Sequence, residues 1–318
     1  MPSTAGAVHG RGAFVNNAHE APAAIRRFPV SRPVSRAIIE VLVRDVLRRK
    51  GAIDDDPARE VEMVFDSDLA LALKHEIVAV GRKLWERQYV DGNGGNISCR
   101  LTDDWVLCTP TLMSKGDLRV EDICMVDFDG RQLAGVRRRS SEILLHLAIM
   151  KAVPAARAVV HAHPPHATAY ALAHQVPPVA MLAEHEVFIG PVALVPYETP
   201  GTQACADAVV PLAARHNTIL MANHGVVTWA DNLIHAEWFL EVMDTTCRVL
   251  MLAGQAGLKP QEIPPATVGG LLAIKKKLGL PDARFGADQP TAAMGTREEA
   301  LVRAVTDAVM ETLGRTEG

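Results

Sequence analysis

Apolar residues recur every three or four positions in several segments of the chain, which is the spacing of one face of an α-helix. The clearest case spans residues 68–88, where Leu69, Leu73, Ile77 and Val80 share a face. The same pattern predicts further helices over residues 33–50, 141–151, 167–173, 234–253 and 268–278.

Short apolar runs bounded by polar residues or glycine predict β-strands between these helices. The predicted strands cover residues 106–109, 123–128, 158–163, 192–195 and 218–221. Asp129 and Gly130 predict a hairpin turn after the second strand. A glycine-rich turn over residues 91–96 leads into Ile97.

Changes of composition divide the chain into three parts. Residues 1–63 combine a segment rich in Ala, Gly, Pro and Asn, for which we predict disorder, with the helix over 33–50. Residues 64–256 form the main body. Residues 257–318 contain several prolines, a predicted linker over 281–295 and a final helix that begins with a capping box. The apolar stripe of that helix consists of Leu301, Val305, Val309 and Leu313.

Composition and charge narrow the classes of partner. Lysine and arginine total 33 against 37 acidic residues, so the basic face that nucleic-acid binding needs is not expected. No apolar run reaches the roughly 18 residues that span a bilayer, and the first thirty residues lack the apolar block of a secretory signal. Five cysteines without a C-x-x-C pair predict buried free thiols, and hence a cytoplasmic location.

Histidines are the most informative polar residues. His161 and His163 close a predicted strand, and because strand side chains alternate, both imidazoles face the same side and can meet one ion. His224, in an Asn-His-Gly sequence behind another strand, is the best candidate for a third ligand. Three neutral histidines leave one position of zinc open, as in catalytic zinc sites. The alternative is that all three are hydrogen-bonded polar residues at strand ends.

Glu142 is the candidate acid/base, since it opens a predicted helix with His146 one turn later. A glutamate beside a divalent metal can carry a proton to or from an activated substrate. The alternative is a helix-start residue that interacts favourably with the helix dipole. Three short segments offer amides or hydroxyls to an anion. They are Gly94 to Asn96, Thr109 to Thr111, and Ser140 with Ser141.

Six motifs follow one another in the order typical of the class II aldolase and adducin family, over about residues 68–255. They are Gly-Asn-Gly-Gly-Asn-Ile-Ser (92–98), Thr-Pro-Thr (109–111), Ser-Ser-Glu (140–142), His-Ala-His-Pro (161–164), Pro-Tyr-Glu-Thr-Pro-Gly-Thr (196–202) and Asn-His-Gly (223–225). The chain resembles this family, and in particular its fuculose-phosphate aldolase members. The resemblance implies a three-layer α/β/α sandwich around a mainly antiparallel sheet, with helical terminal extensions added, and a homotetramer with active sites between subunits.

The resemblance also implies roles for individual residues. His161, His163 and His224 would hold one zinc ion, or another divalent metal, per subunit, and Glu142 would be the catalytic acid/base. The substrate phosphate would be bound by Gly95, Asn96, Thr111, Ser140 and Ser141. The implied reaction is reversible cleavage of a ketose 1-phosphate, of the fuculose or rhamnulose phosphate type, to dihydroxyacetone phosphate and an aldehyde such as lactaldehyde.

Two departures from the family pattern concern the substrate. Leu112 stands where a glycine commonly follows Thr-Pro-Thr, which predicts an altered phosphate loop. Family aldolases use tyrosines to protonate the aldehyde-derived oxygen, whereas this chain has three tyrosines and none in its C-terminal tail. A sugar-phosphate dehydratase or 4-epimerase of the same fold is therefore an alternative, although epimerases usually carry aspartate at the position of Glu142. An adducin-like non-catalytic protein is a further alternative, which the intact histidine triplet disfavours.

The terminal helices resemble the encapsulation peptides that direct enzymes into bacterial microcompartments. Each combines an apolar face with a flexible connection, and a detachable apolar face needs a partner groove. The sequence therefore predicts a microcompartment shell protein as a partner of the final helix or of the helix over 33–50. The alternative is that each helix packs on its own core or on a neighbouring subunit.

Overall fold

The computed structural model describes residues 57–288, so the predicted helices over 33–50 and behind Thr296 lie outside the described residues. The helices are α1 (Pro57–Phe65), α2 (Asp68–Glu86), α3 (Ile143–Ala152), α4 (Pro165–Leu172), α5 (Ala183–Phe188), α6 (Gln203–Ala213), α7 (Leu233–Gln255) and α8 (Pro265–Lys277). The strands are β1 (Asn96–Arg100), β2 (Trp105–Cys108), β3 (Cys124–Asp127), β4 (Gln132–Ala134), β5 (Ala158–Ala162), β6 (Ala193–Val195), β7 (Thr218–Met221) and β8 (Gly225–Ala230).

The strands form one sheet in the order β4-β3-β2-β1-β5-β8-β7-β6. Only the β6–β7 pair at one edge is parallel, and the other neighbours run antiparallel. The prediction of a mainly antiparallel sheet is therefore confirmed. Strands β1, β5 and β8 lie side by side at the centre, which places the Asn-Ile-Ser and His-Ala-His motifs on adjacent strands.

Helices cover both faces of the sheet, as the predicted three-layer sandwich requires. Along β5, Ala158 and Val160 pack in one apolar layer whereas Val159 packs in the other, because strand side chains alternate between faces. Residues of α2, α4 and α7 belong to the first layer, and residues of α3 and α6 belong to the second. The polar residues singled out on β1 and β5 therefore share the face that α3 covers.

Most of the predicted elements within the described range are present, with ends shifted by up to three residues. The strands β1 and β4 were not predicted as strands. The strand β8 was not predicted either, since its Gly-Val-Val-Thr-Trp-Ala sequence is buried throughout and shows no alternation of apolar and polar residues. The helices α1, α5 and α6 were also not predicted. In α6, Pro211 lies close to the C-terminal end, and the helix continues through it to Ala213.

The start of the predicted linker over 281–295 differs from the expectation. Residues 283–288 form 3-10 turns that are interrupted by a kink at Gly286, and Asp282 is 1% exposed. Asp282 binds Lys275 of α8 at 2.9 Å and Arg284 at 2.7 Å, and Arg284 also reaches Glu186 of α5 at 2.8 Å. These buried ion pairs hold the chain against α5, which hydrophobic periodicity alone does not reveal.

Two further predictions concern the chain as a whole. All five cysteines are buried and free, as predicted. Among residues 57–288, we find no helix with the length and apolar character needed to cross a membrane.

Candidate metal and catalytic site

The three predicted histidines converge on one point. His161 Nε2 lies 3.2 Å from His224 Nε2 and 3.2 Å from His163 Nε2, and one ligand atom of each residue lies within 4.8 Å of the others. Tetrahedral zinc with nitrogen ligands at about 2.0–2.1 Å would place neighbouring nitrogens roughly 3.3 Å apart. The three side chains therefore fit the requirements of a divalent metal site.

Backbone contacts orient these rings. His161 Nδ1 lies 2.9 Å from the Val226 carbonyl oxygen, which can only accept a hydrogen bond, so Nδ1 carries the proton and Nε2 presents its lone pair. The His163 amide donates to the Tyr89 carbonyl oxygen at 2.8 Å, which fixes the chain as it leaves β5. Both contacts are tertiary, because Val226 lies on β8 and Tyr89 follows α2 in sequence.

The Asn-His-Gly turn joins β7 to β8 and presents His224. Asn223 adopts a φ of +54°, in the left-handed region that asparagine tolerates better than most residues. At Gly225, a Cβ atom would lie 2.6 Å from His163 Cδ2 and 2.6 Å from the Ala162 carbonyl oxygen. The absence of a side chain at Gly225 therefore allows β8 to pass close to β5 and the metal ligands to meet.

Burial keeps all three imidazoles neutral, which is the form that binds a metal. Desolvation lowers the pKa of His161 well below its usual value, and the neighbouring histidines lower it further. Desolvation also lowers the pKa of His163, and it lowers the pKa of His224 to about 4. The ligands are consequently deprotonated at neutral pH without help from the metal.

Glu142 lies beside the histidines at the start of α3. Its Oε2 atom is 3.8 Å from His161 Nε2 and 3.7 Å from His224 Nε2, and within residues 57–288 it has no hydrogen-bond partner. Its Oε1 atom accepts a hydrogen bond from Asn96 Nδ2 at 3.2 Å. Burial raises the pKa of Glu142, while the Asn96 bond and the charge of Lys115 oppose the shift. A carboxylate with one free oxygen near a metal site is suited to proton transfer.

Three residues around Glu142 were not predicted as site residues. Lys115 is 1% exposed, donates hydrogen bonds to the Asn93 and Met113 carbonyl oxygens, and has a pKa lowered to about 8 by burial. Its sequence neighbours, Ser-Lys-Gly-Asp, suggest an exposed lysine, so the sequence contains no signal for it. Ser98 and His146 form a buried hydrogen-bonded pair next to Asn96. Their signal is the N-x-S spacing on a strand and the E-x-x-x-H spacing on a helix.

The predicted phosphate residues lie on three neighbouring segments. Asn96 is the cross-strand partner of His161. The Thr111 amide donates to the Arg138 carbonyl oxygen and the Ser140 amide to the Thr109 carbonyl oxygen, so their two segments lie side by side.

The remaining two predicted phosphate residues differ in exposure. Gly95, with a φ of +70°, is buried where a Cβ atom would lie 2.5 Å from Val90 Cγ1 and 2.9 Å from the His161 carbonyl oxygen. Ser141 is exposed, and the loop over 196–202 approaches it, since a Cβ atom at Gly201 would lie 3.1 Å from its carbonyl oxygen. Within residues 57–288, the hydrogen bonds of the five predicted phosphate residues do not bring them together into one cluster.

Leu112 adopts the backbone conformation that its position in the loop suggests. Its φ is +55°, in the left-handed region that favours glycine, and its side chain is 80% exposed. Leucine therefore keeps the left-handed backbone that glycine would adopt more readily, and its side chain is turned to solvent.

Residues 75–251 match the model of the class II aldolase and adducin N-terminal domain. The 3-oxo-tetronate 4-phosphate decarboxylase of Haemophilus influenzae is 34% identical over 190 residues, which cover 58% of this chain and 90% of that protein. The L-fuculose phosphate aldolase of Methanococcus vannielii is 32% identical over 174 residues, which cover 55% of this chain and 93% of that protein.

Solved structures show the same architecture. The YgbL protein of Klebsiella pneumoniae superimposes with a TM-score of 0.59 at 30% identity, over 63% of this chain and 97% of that chain. An L-fuculose 1-phosphate aldolase superimposes with a TM-score of 0.59 at 27% identity, over 65% of this chain and 96% of that chain. The family match covers more than half of the sequence, and the solved structures share the sheet and the helical layers. The chain belongs to the class II aldolase and adducin family.

Proposed function

We propose that this chain is a divalent-metal-dependent lyase that breaks the bond between the α- and β-carbons of a ketone in a phosphorylated substrate. The proposal rests on one observation: three neutral histidine nitrogens converge beside a carboxylate oxygen that has no hydrogen-bond partner among residues 57–288. Scaffold proteins have no need of such an arrangement. An unsatisfied buried carboxylate oxygen destabilises the fold and is expected where function requires it.

His161, His163 and His224 would hold the metal, for which we propose zinc because all three ligands are imidazoles. When bound, such a metal supplies a Lewis acid that polarises the substrate ketone. Glu142 would hold the proton that leaves or joins the substrate carbon, since its free Oε2 faces the histidines. Asn96 would keep the other carboxylate oxygen occupied, so that the proton is exchanged at Oε2.

The two kinds of relative share one chemical intermediate. Loss of carbon dioxide from a 3-oxo-tetronate 4-phosphate leaves an electron pair on C2, which the C3 ketone delocalises as an enediolate. Loss of an aldehyde from a ketose 1-phosphate leaves the equivalent pair on C3, which the C2 ketone delocalises. Protonation of either enediolate yields dihydroxyacetone phosphate. The same metal, acid/base and phosphate site therefore serve both reactions.

The leaving group distinguishes the two reactions. An aldehyde leaves only when the hydroxyl that becomes its carbonyl loses a proton, whereas a carboxylate leaves as carbon dioxide without any proton transfer. Tyr89 and Tyr170 pack in the apolar layer on the other face of the sheet from Glu142, and burial raises the pKa of Tyr89 to about 12. Tyr197 lies on the exposed loop over 196–202. We therefore favour decarboxylation of a 3-oxo-tetronate 4-phosphate and retain ketose 1-phosphate cleavage as the second candidate.

An assay of both substrates tests the proposal. Purified protein should contain about one zinc per chain and release dihydroxyacetone phosphate and carbon dioxide from 3-oxo-tetronate 4-phosphate. His163→Ala should lose both metal and activity while keeping its circular dichroism spectrum. If dihydroxyacetone phosphate is released from L-fuculose 1-phosphate but not from 3-oxo-tetronate 4-phosphate, the protein is the aldolase instead. Full metal content in His163→Ala, or turnover that persists after chelation of the metal, would overturn the metal-dependent mechanism.

A further inference from the structure

We infer that Ser98 and His146 are positioning residues, which fix the Asn96 carboxamide so that it donates to Glu142 and leaves one carboxylate oxygen free for proton transfer. The inference rests on the proposed function for the identity of the acid/base. It assigns a task to two buried residues that the mechanism above does not use.

Two adjacent elements bring the four side chains together. Asn96 and Ser98 are two residues apart on β1 and therefore share a face, while Glu142 and His146 are four residues apart at the start of α3. Ser98 Oγ lies 2.7 Å from His146 Nδ1, and His146 Nε2 contacts Asn96 Oδ1. Asn96 Nδ2 in turn lies 3.2 Å from Glu142 Oε1. The result is a continuous chain of hydrogen bonds from Ser98 to the acid/base.

The hydrogen bonds that link Ser98 to Glu142 allow only one consistent placement of their protons. Complete burial lowers the pKa of His146 to about 3, so its ring is neutral and has one donor and one acceptor nitrogen. Asn96 donates through its amide nitrogen to Glu142 Oε1, which leaves its oxygen facing His146 Nε2. Nε2 is therefore the protonated nitrogen, and Nδ1 accepts from the Ser98 hydroxyl. The opposite tautomer would turn the Asn96 oxygen toward Glu142 and place two acceptors against each other.

The consequence is a fixed carboxylate. With Oε1 held by Asn96, the free Oε2 stays 3.7–3.8 Å from two of the metal ligands. Ser98 and His146 are 0% and 1% exposed, so neither can touch the substrate and both act through Asn96. Misplacement of a reacting group by about 1 Å can cost roughly 100-fold in rate, which sets the size of the expected effect.

Solvent deuterium exchange into the hydroxymethyl group of dihydroxyacetone phosphate measures the proton transfer directly, because this compound is the product of both candidate reactions. Followed by NMR at saturating concentration, exchange in His146→Leu should be about 10- to 100-fold slower than in the wild type, with unchanged zinc content. His146→Gln, which restores an N–H donor, should recover most of the rate. His185→Leu is the matched control, since His185 is equally buried but lies on α5 away from the site.

A double-mutant cycle separates positioning from a general structural effect. If His146 acts through Asn96, His146→Leu should slow exchange little further in an Asn96→Ala background. Full additivity of the two effects, or a wild-type rate in His146→Leu, would overturn the inference. Absence of exchange in the wild-type protein would instead contradict the proposed function.

A spectroscopic measurement tests the chain of hydrogen bonds without reference to activity. In protein carrying ¹⁵N-labelled histidine, the resonances that disappear in His146→Gln identify this ring. Their shifts should show the Nε2-protonated tautomer in the wild type, and Ser98→Ala should increase the population of the other tautomer. An Nδ1-protonated His146 in the wild type would overturn the inference, whatever the reaction proves to be.

Discussion

Burial controls the protonation states of the residues that form the site. It keeps the three histidines neutral and ready to bind a metal, and it raises the pKa of Glu142 toward values suited to proton exchange. The same burial lowers the pKa of Lys115 to about 8, yet two backbone carbonyl oxygens still accept hydrogen bonds from its amine. Function at the residue scale therefore depends on desolvated polar groups that a few specific contacts stabilise.

We predict that Glu142→Gln retains metal and substrate binding but loses turnover by a factor of about 100 or more. The amide is nearly isosteric with the carboxyl group and can still contact Asn96, but it cannot exchange a proton. Zinc analysis, binding of dihydroxyacetone phosphate and steady-state rates provide the measurements. A rate near that of the wild type would show that another group moves the proton.

Ser141→Ala should raise KM for a phosphorylated substrate by roughly 10- to 100-fold, because a hydrogen bond to a charged phosphate contributes about 1.5–3 kcal/mol. The KM of an unphosphorylated analogue should change little, and kcat should be similar in both proteins. Ser141 is exposed at the start of α3 beside the 196–202 loop, so the substitution leaves the core intact. Equal changes in KM for the two substrates would argue against a phosphate site at Ser141.

The pH dependence of stability should include a contribution from His185. Its ring is fully buried and burial lowers its pKa to about 4, although Glu186 opposes the shift and Lys275 and Arg284 add to it. The unfolded chain takes up this proton below about pH 6.5, so stability is lost as pH falls from 6.5 toward 4, by at most about 1.4 kcal/mol per pH unit. When urea unfolding is measured between pH 7 and pH 5, the free energy of unfolding should therefore change less steeply with pH in His185→Leu than in the wild type. Identical slopes would contradict the prediction.

At the scale of elements, the junction between β5 and α4 determines where His163 leaves the sheet. Asp244 of α7 accepts hydrogen bonds from the His166 and Ala167 amides at 2.9 and 3.0 Å, and its other oxygen lies 2.9 Å from His166 Nδ1. A side chain of a distant helix thus satisfies the first turn of α4, where no local capping side chain does so. This contact joins the metal-binding strand to the layer formed by α2, α4 and α7.

Asp244→Ala should reduce the free energy of unfolding by about 2 kcal/mol, because two amides at the helix start would lose their acceptor. Asp244→Asn, which keeps an acceptor oxygen, should lose less. Urea denaturation of the two variants provides the comparison. If both variants match the wild type, water satisfies the start of α4 and the cap contributes nothing.

At the scale of the whole molecule, buried charges join the segment that follows α7 in sequence to helix α5. Lys275 of α8 is fully buried and donates to the Ile189 carbonyl oxygen at 2.6 Å as well as pairing with Asp282. Arg284 connects Asp282 to Glu186 of α5. Breaking a buried pair costs about 3–5 kcal/mol, since the remaining charge is left without compensation.

Truncation should separate the two parts of the C-terminal extension. Removal of residues 289–318 leaves Glu186, Lys275, Asp282 and Arg284 in place, so we expect an unchanged thermal midpoint and unchanged activity. Removal of residues 265–318 takes away Arg284, the ion-pair partner of Glu186, together with the buried Lys275 and Asp282, and should lower the thermal midpoint. A large loss of stability in the shorter truncation would show that the predicted terminal helix is structural.

The same truncation addresses the assembly predictions. Homotetramer formation and recruitment to a microcompartment shell stay predictions. We expect a protein without residues 289–318 to keep the same number of subunits in sedimentation analysis. It should be released from shell-associated fractions if that helix is a targeting signal. Retention in those fractions would contradict the targeting prediction, and dissociation of the assembly would assign the helix to a subunit interface.

The sequence by itself determined the features that local periodicity and motif order encode. Local patterns account for the helix over 68–86, the strand over 158–162 and the placing of His161 and His163 on one face. All three follow from side chains a few residues apart, because backbone geometry fixes which of them share a face. The order of the motifs then identified the family and the candidate metal ligands. These features need no knowledge of which strands pair.

Only the tertiary structure decided which distant groups meet. The pairing of β1 with β5 places Asn96 opposite His161, and the packing of α3 brings Glu142 and His146 onto that face. The strand β8 showed no periodicity because both of its sides are buried, and Lys115 resembled a surface residue because its acceptors are backbone carbonyls that any sequence provides. The pairing of distant strands and the positions of backbone acceptors cannot be predicted from the local order of residues. The full environment of the site is therefore visible only in the folded chain.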